Sequence, residues 1–323
     1  MLAVVIALDH EEVQKQNIQS TTEVEQMIYG DESLGIDAEV DESLKDYRNI
    51  VIYGLDAEDK DSASGHRSDA MMILSINKKT DAVKLFSVYR DTYLQINDDG
   101  TLDKTNHAYA YGGMRQSMKA LNQNLDLNIR EAITFNWKAT ADLVDALGGI
   151  EMDVQDNEIQ FINQHLNGMG AEEQYITQSG TQTLSGRQAV AYSRIRYDSS
   201  DFKRNERMQA VLIATFKKAQ TLGAGQLMSI MDDVVGEIDS NMSRNTMTEI
   251  LSQIKELDID ENMGWPFKKQ GWMHNEIYYC VPVTLASNVS ELHARVFGQS
   301  GYVPTEFVQN VSSQIESISG YSQ

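Results

Sequence analysis

The sequence predicts a layered α/β sandwich around a central mixed β-sheet, and three observations carry that prediction. From residue 49 onward, short apolar strand-like runs alternate with segments of helical periodicity, the pattern that places helices on both faces of a sheet. The turn NKKTD (77–81) joins two such runs as a hairpin, so at least one strand pair is antiparallel and the sheet is mixed. With 323 residues, 41% of them hydrophobic, the chain can bury a sizeable core.

Residues 1–46 hold twelve acidic residues against two lysines, about -10 of the formal charge of -21, and read as an acidic linker with one polar helix around 24–29. The opening run MLAVVIAL is far shorter than the ~20 residues that span a bilayer. It also lacks the basic flank of a signal peptide, leaving a stub of a longer segment or a short strand as its readings. A core spans 47–222. NIVIYGL (49–55), AMMILSI (70–76) and AVKLFSV (82–88) are its first strands, and 112–125 is a helix. A strand at 130–136 precedes a helix that stops at Gly148 and Gly149, and IEMDV is the next strand. The polar stretch 156–179 reads as a loop with helical patches, long enough to be a functional lid. Residues 207–220 form an amphipathic helix. Residues 223–323 pack on the same domain, with helices near 225–237, 243–257 and 288–298 and a strand at 276–283.

The acidity excludes a nucleic-acid binder, which needs a positive surface. Cys280 is the only cysteine, which excludes an internal disulfide, and in IYYCVPV it reads as a buried structural thiol. Against this acidic background, five arginines fall between 187 and 207. Arginine forks match phosphate oxygens two at a time and stay charged, so the cluster suggests a small anionic ligand.

Three segments bear the chemistry. In the first, Asp56 follows a buried strand and Asp69 opens the next, with Arg67 two residues before it. On neighbouring strands the two carboxylates reach one sheet edge, an arrangement that suits magnesium completed by water and phosphate oxygens. In the second, Arg90 and Asp91 follow a buried strand, either as a surface ion pair or pointing into the crevice where open α/β sheets bind ligands. In the third, Arg194 and Arg196 alternate as if on one strand face. Arg204 and Arg207 share one side of a helix start, where cations oppose the helix dipole unless an anion lies between. Asp91 and Asp201 are both candidates for the base that takes the proton of an acceptor hydroxyl.

Together these segments resemble the signature blocks of the LytR-CpsA-Psr family of cell-wall glycopolymer transferases. GLD…RSDAMMILSIN resembles its first motif, SVYRDTYL its second, NHAYAYGG and DLVDALGGIEMDV its connecting blocks, and GRQAVAYSRIRY…DFKRNERMQ its last. The resemblance implies a membrane-anchored, outward-facing α/β domain, its transmembrane helix missing here. It implies transfer of a glycopolymer phosphate from a polyprenyl pyrophosphate to peptidoglycan. Asp56 and Asp69 would hold magnesium or manganese, and Arg67, Arg90, Arg194, Arg196, Arg204 and Arg207 the pyrophosphate, with Asp201 and Gln209 completing the site. Arg90 and Arg196 would meet the charge that builds during transfer. Tyr89 stands where the family commonly has proline, and Met208 where glutamine is frequent. Two alternatives stand beside it: a hydrolase of polyprenyl pyrophosphates at the same site, and a non-catalytic regulator that binds anionic glycopolymers, which would not need the aspartate pair.

Overall fold

The run NIVIYGL forms the middle of the sheet, because it is apolar on both faces and needs cover on both. The structure, a computed structural model, describes residues 30–58, 65–195, 201–256 and 263–322, without the side chains of 201–205, 253 and 256. In chain order, helix α1 (Ala38–Ser43) leads into β1 (Tyr47–Leu55), β2 (Ser68–Asn77), β3 (Val83–Val88) and a small hairpin of β4 (Tyr93–Gln95) and β5 (Leu102–Lys104). Next come α2 (Thr105–Leu125), β6 (Glu131–Phe135), α3 (Trp137–Ala146), β7 (Ile150–Val154) and α4 (Asp156–Gly168). They are followed by β8 (Gly180–Leu184), α5 (Gly186–Ser193), α6 (Asp201–Gln220), α7 (Ala224–Val234), β9 (Asp239–Ser240) and α8 (Arg244–Gln253). Then follow β10 (Gly264–Trp265), β11 (Lys269–His274), β12 (Ile277–Pro282), α9 (Leu285–Phe297) and α10 (Glu306–Ser319).

The main sheet has the order β10-β3-β2-β1-β6-β9 and is mixed, as expected. β1 runs antiparallel to β2 and parallel to β6, β3 is antiparallel to β2, and β10 is parallel to β3. The carboxyl ends of β1, β3, β6 and β10 and the amino end of β2 therefore share one edge. Alternation divides β1 between two cores. Val51, Tyr53 and Leu55 pack with α2, α9 and α10, whereas Ile50 and Ile52 pack with Met208 and Leu212 of α6 and Ala139 of α3. A third cluster binds the β7–β8 hairpin, α4 and α5 onto the far side of α6 through Val211.

Several expectations change. The stretch 156–179 is not a loop: 156–168 is helix α4, closed by a capping box in which the Glu158 carboxylate accepts from the Gln155 N–H at 3.0 Å. Its buried stripe, Ile162 and Leu166, is too sparse to stand out in a polar sequence. Arg194 is not on a strand but forms the C-cap of α5. That helix approaches α3 so closely that a Cβ on Gly186 would lie 2.1 Å from the Ala141 carbonyl oxygen. Helix α2 begins at Thr105, and a break at Gly112 and Gly113 separates its first turns from the expected helix at 112–125. The acidic segment is not all linker, since Leu34, Val40 and Leu44 are buried in the main core. The polar helix expected around 24–29 lies outside the described residues. Cys280 is buried as expected, and burial pushes its thiol up to about 12. Among the described residues, no helix is long and apolar enough to cross a membrane.

The segment after 263 is locked to this body by polar contacts. Asp126, the left-handed C-cap of α2, accepts from the Thr305 N–H at 2.8 Å, the Thr305 hydroxyl at 2.7 Å and the Tyr302 hydroxyl at 3.0 Å. The buried His293 stacks on Tyr302 at 3.7 Å and donates through Nε2 to the Leu125 carbonyl at 3.1 Å. Burial holds the imidazole pKa below its ordinary value, so the fold favours the neutral ring. The unfolded chain takes up the proton first as pH falls below about 6.5, and stability is lost from there down through the depressed folded pKa. Melting between pH 7.5 and 5.5 should show this acid destabilisation, and His293→Gln should flatten it. An unchanged pH slope in that variant would assign the effect to other groups.

Candidate active site

The edge where β1, β2, β3 and β6 converge gathers the charged residues. Met72 pairs with Ser87 in the β2–β3 ladder, and the same register carried three residues on sets Asp69 opposite Arg90. Arg90 Nη1 donates to Asp69 Oδ1 at 2.6 Å, and its Nε lies 3.5 Å from Asp91 Oδ2. Lys104 Nζ reaches Asp91 Oδ1 at 2.7 Å. Asp69, Arg90 and Asp91 are only 3%, 7% and 6% exposed, so this is a desolvated alternating chain of charges rather than a surface pair.

The backbone around Arg90 is held from three sides. The Tyr89 N–H donates to the Trp265 carbonyl at 3.0 Å, the Asn106 N–H to the Arg90 carbonyl at 3.1 Å, and the Cys280 N–H to the Asp91 carbonyl at 2.8 Å. Strand β10, the start of α2 and strand β12 thus fix the arginine before any ligand arrives, which is how charge-stabilising groups avoid reorganisation.

Asp56 lies half-buried one residue beyond β1, beside the bulge at Gly54 and Leu55, and Asp69 is the second residue of the adjacent β2. The two carboxylates therefore stand at the same edge, as the sequence suggested. Two hard oxygen donors suit magnesium or manganese when phosphate oxygens supply further ligands. Among the described residues there is no cluster of three or more His, Cys, Asp or Glu that could hold a metal alone.

The arginines divide. Arg67 is exposed just ahead of β2. The Arg194 guanidinium lies 3.6 Å from the centre of the Trp137 ring. Trp137 in turn donates its backbone N–H to the Ala57 carbonyl at 2.9 Å, which brings Arg194 to the Asp56 corner. Arg207 is buried, donating Nε to Glu158 Oε1 at 3.0 Å and Nη1 to the Ile195 carbonyl at 3.4 Å. It ties α4 and the end of α5 to α6 at this edge. Arg196 lies outside the described residues. Asp201 and Arg204 sit in the first turn of α6, where only the backbone is described. Gln209, one turn on, lines an open cleft together with Tyr89. Sequence reading missed Lys104, Trp137 and Glu158. Lys104 lies two residues before the NHAYAYGG block, and its position there was the one signal available.

Beneath this edge the structure turns apolar. A small cavity below Gly54 and Leu55 is lined by Phe135, Trp137, Met208 and Leu212. Phe135 and Leu212 also line a second cavity of about 120 Å³ between the sheet and helices α3, α6, α7 and α8. Every described residue on its wall is apolar except Thr215, whose hydroxyl donates back to the Val211 carbonyl at 2.8 Å. Protein interiors are close-packed, and an unfilled apolar void costs stability in proportion to its size. The chemistry of this lining suits an apolar group.

The site is thus a charged edge with apolar cavities beneath it. The chain belongs to the LytR_cpsA_psr family, whose model matches residues 8–294. It is 32% identical over 259 residues to the polyisoprenyl-teichoic acid–peptidoglycan teichoic acid transferase TagU of Halalkalibacterium halodurans, covering 78% of this chain and 79% of that protein. It is 29% identical over 245 residues to TagT of Bacillus subtilis, covering 73% and 72%. Among solved structures it resembles TagT bound to LIIa-WTA (TM-score 0.59, 24% identity, 86% and 92% covered). It also resembles the LytR-CPS2A-psr protein YwtF (TagT) with bound octaprenyl pyrophosphate lipid (TM-score 0.55, 23% identity, 86% and 92% covered). These structural likenesses bear on the fold.

Proposed function

We propose that this protein is a phosphotransferase that moves a glycopolymer phosphate from a polyprenyl pyrophosphate carrier to peptidoglycan, with magnesium or manganese as cofactor. The observation that carries the reading is the charged edge standing beside two neighbouring apolar cavities whose walls share Phe135 and Leu212. One amphiphile can place its diphosphate at the edge and its hydrocarbon below. The relatives' names, which state polyisoprenyl carriers and peptidoglycan acceptors, support the same assignment.

The acceptor hydroxyl oxygen attacks the phosphorus that carries the glycopolymer. The bond from that phosphorus to the bridging oxygen breaks, and polyprenyl monophosphate leaves. Arg90, held by Asp69 and Asp91, would face the charge that accumulates on the transferring group, and Arg67, Arg194, Arg196 and Arg204 would share in neutralising it. Asp56 and Asp69 would hold the dication, which neutralises diphosphate charge when bound. Arg207 acts from behind, keeping the α6 start against α4. Asp91 pairs with Lys104 and Arg90, and Asp91 and Asp201 are both candidates for receiving the acceptor proton. Attachment to the membrane and an extracellular location are part of this reading, because polyprenyl-linked polymers meet peptidoglycan there.

The test is release of polyprenyl phosphate from a polyprenyl-pyrophosphate-linked sugar as magnesium is titrated. Turnover should rise with the metal in the native protein. Asp69→Asn should shift that dependence to higher metal concentration while circular dichroism stays native. Metal-independent turnover would remove the dication from the account.

A further inference from the structure

The β11–β12 hairpin carries a ring seat beside the charged edge. A Cβ on Gly271 would lie 3.0 Å from Tyr278 Cε2 and 3.2 Å from its hydroxyl oxygen, so the Tyr278 ring lies against bare backbone that only glycine provides. The side chain is nevertheless 41% exposed, and its cross-strand partner Met273 is 63% exposed. Strand alternation puts Lys269, Gly271, Met273 and Tyr278 on one face of the hairpin.

That face is continuous with the site. The Cys280 N–H donates to the Asp91 carbonyl at 2.8 Å, and Cys280 also forms a bridge with Thr92. Burial, with the fields of Cys280 and Asp91 behind it, raises the Tyr278 hydroxyl pKa, consistent with that proximity. At the near end, Lys269 Nζ lies 4.4 Å from the centre of the Tyr89 ring, and Tyr89 directly precedes Arg90. Its hydroxyl fills the space beside Gly264, 2.3 Å from where a Cβ would stand. From Lys269 to Met273 the strand runs roughly 13 Å, the span of a disaccharide.

We propose that this face docks the acceptor, a strand of N-acetylated pyranose rings, with one ring stacked on Tyr278 and its hydroxyl side turned toward Asp91 and Arg90. The inference rests on the transferase reading above, because it supplies the acceptor side of that reaction. A lipid has its own apolar cavity on the other side of the edge. A sugar ring instead needs a flat aromatic face with a charged group at its margin, and Tyr278 and Lys269 furnish them. Lys269 is placed to meet a carboxylate carried on such a strand.

The experiment measures polymer transfer to a peptide-free oligosaccharide of N-acetylglucosamine and N-acetylmuramic acid, alongside polyprenyl phosphate release into water without acceptor. Tyr278→Ala should raise the acceptor KM roughly three- to tenfold, while the donor KM and hydrolysis rate stay within about twofold. Tyr278→Phe should keep the native acceptor KM because the ring is retained. A native acceptor KM in the alanine variant, or an equal loss of hydrolysis and transfer, overturns the proposal. Titrating the same oligosaccharide into the native protein should shift the Tyr278 ring resonances, and an absence of shifts overturns it too. Native protein that binds the oligosaccharide this way yet neither transfers nor hydrolyses would sink the transferase reading and leave the glycan platform standing.

Discussion

Replacing Arg90 with alanine should lower transfer by about 100- to 1,000-fold and destabilise the fold together. The rate loss follows from removing a charge-assisted contact to the transferring phosphate, which is worth that much when it is made mainly in the transition state. The stability loss follows from burial. Asp69 and Asp91 are almost inaccessible, and deleting one member of a buried charge network costs about 3–5 kcal/mol because the remaining charge has no water. Arg90→Lys should restore part of the stability and little of the rate, since an ammonium cannot engage Asp69 and a phosphate with a planar fork. Urea unfolding beside the transfer assay separates the two effects. A variant with native stability would mean that the Arg90–Asp69 contact at 2.6 Å is energetically idle.

Narrowing the apolar cavity should have the second largest effect. Ile230 on α7 is half-buried and lines its wall, opposite the sheet residues Ile52 and Phe135. Ile230→Trp places an indole where the carrier chain would lie. Each displaced methylene costs the lipid about 0.8 kcal/mol, so losing two or three weakens binding about 10- to 100-fold. The melting temperature should hold or rise, because the indole fills space that is otherwise empty. The discriminating measurement compares a long polyprenyl donor with a water-soluble short-chain donor. The long donor alone should lose affinity, and equal losses for both would place the tail elsewhere.

The sheet and its site edge were legible in the sequence because β1 and β2 are apolar on both faces and end in charged residues at Asp56 and Asp69. Arg90 was also legible, as the residue after a buried strand. Its pairing with Asp69 was not, since it depends on the β2–β3 register beyond the last ladder pair. The alternation of Arg194 with Arg196 suggested a strand, yet Arg194 closes a helix. A capping box at Ser185 and Gln188 and the close approach at Gly186 set that helix, and neither feature shows in hydrophobic periodicity. Glu158 was lost inside a stretch read as a loop. It serves both the α4 cap and Arg207, a double role that only tertiary contact reveals. The apolar cavity was invisible for a related reason, because a helix stripe facing an empty space and one facing a packed core have the same sequence.

A crystal structure of the protein with an octaprenyl pyrophosphate and magnesium tests the central claim most directly. The account predicts the diphosphate within hydrogen-bonding distance of Arg90 and beside Asp56 and Asp69. It predicts the isoprenoid chain passing Phe135 and Leu212 into the cavity between the sheet and α7. A diphosphate bound at the opposite end of the sheet, near Arg48 and Arg130, or a chain lying outside that cavity, would contradict it.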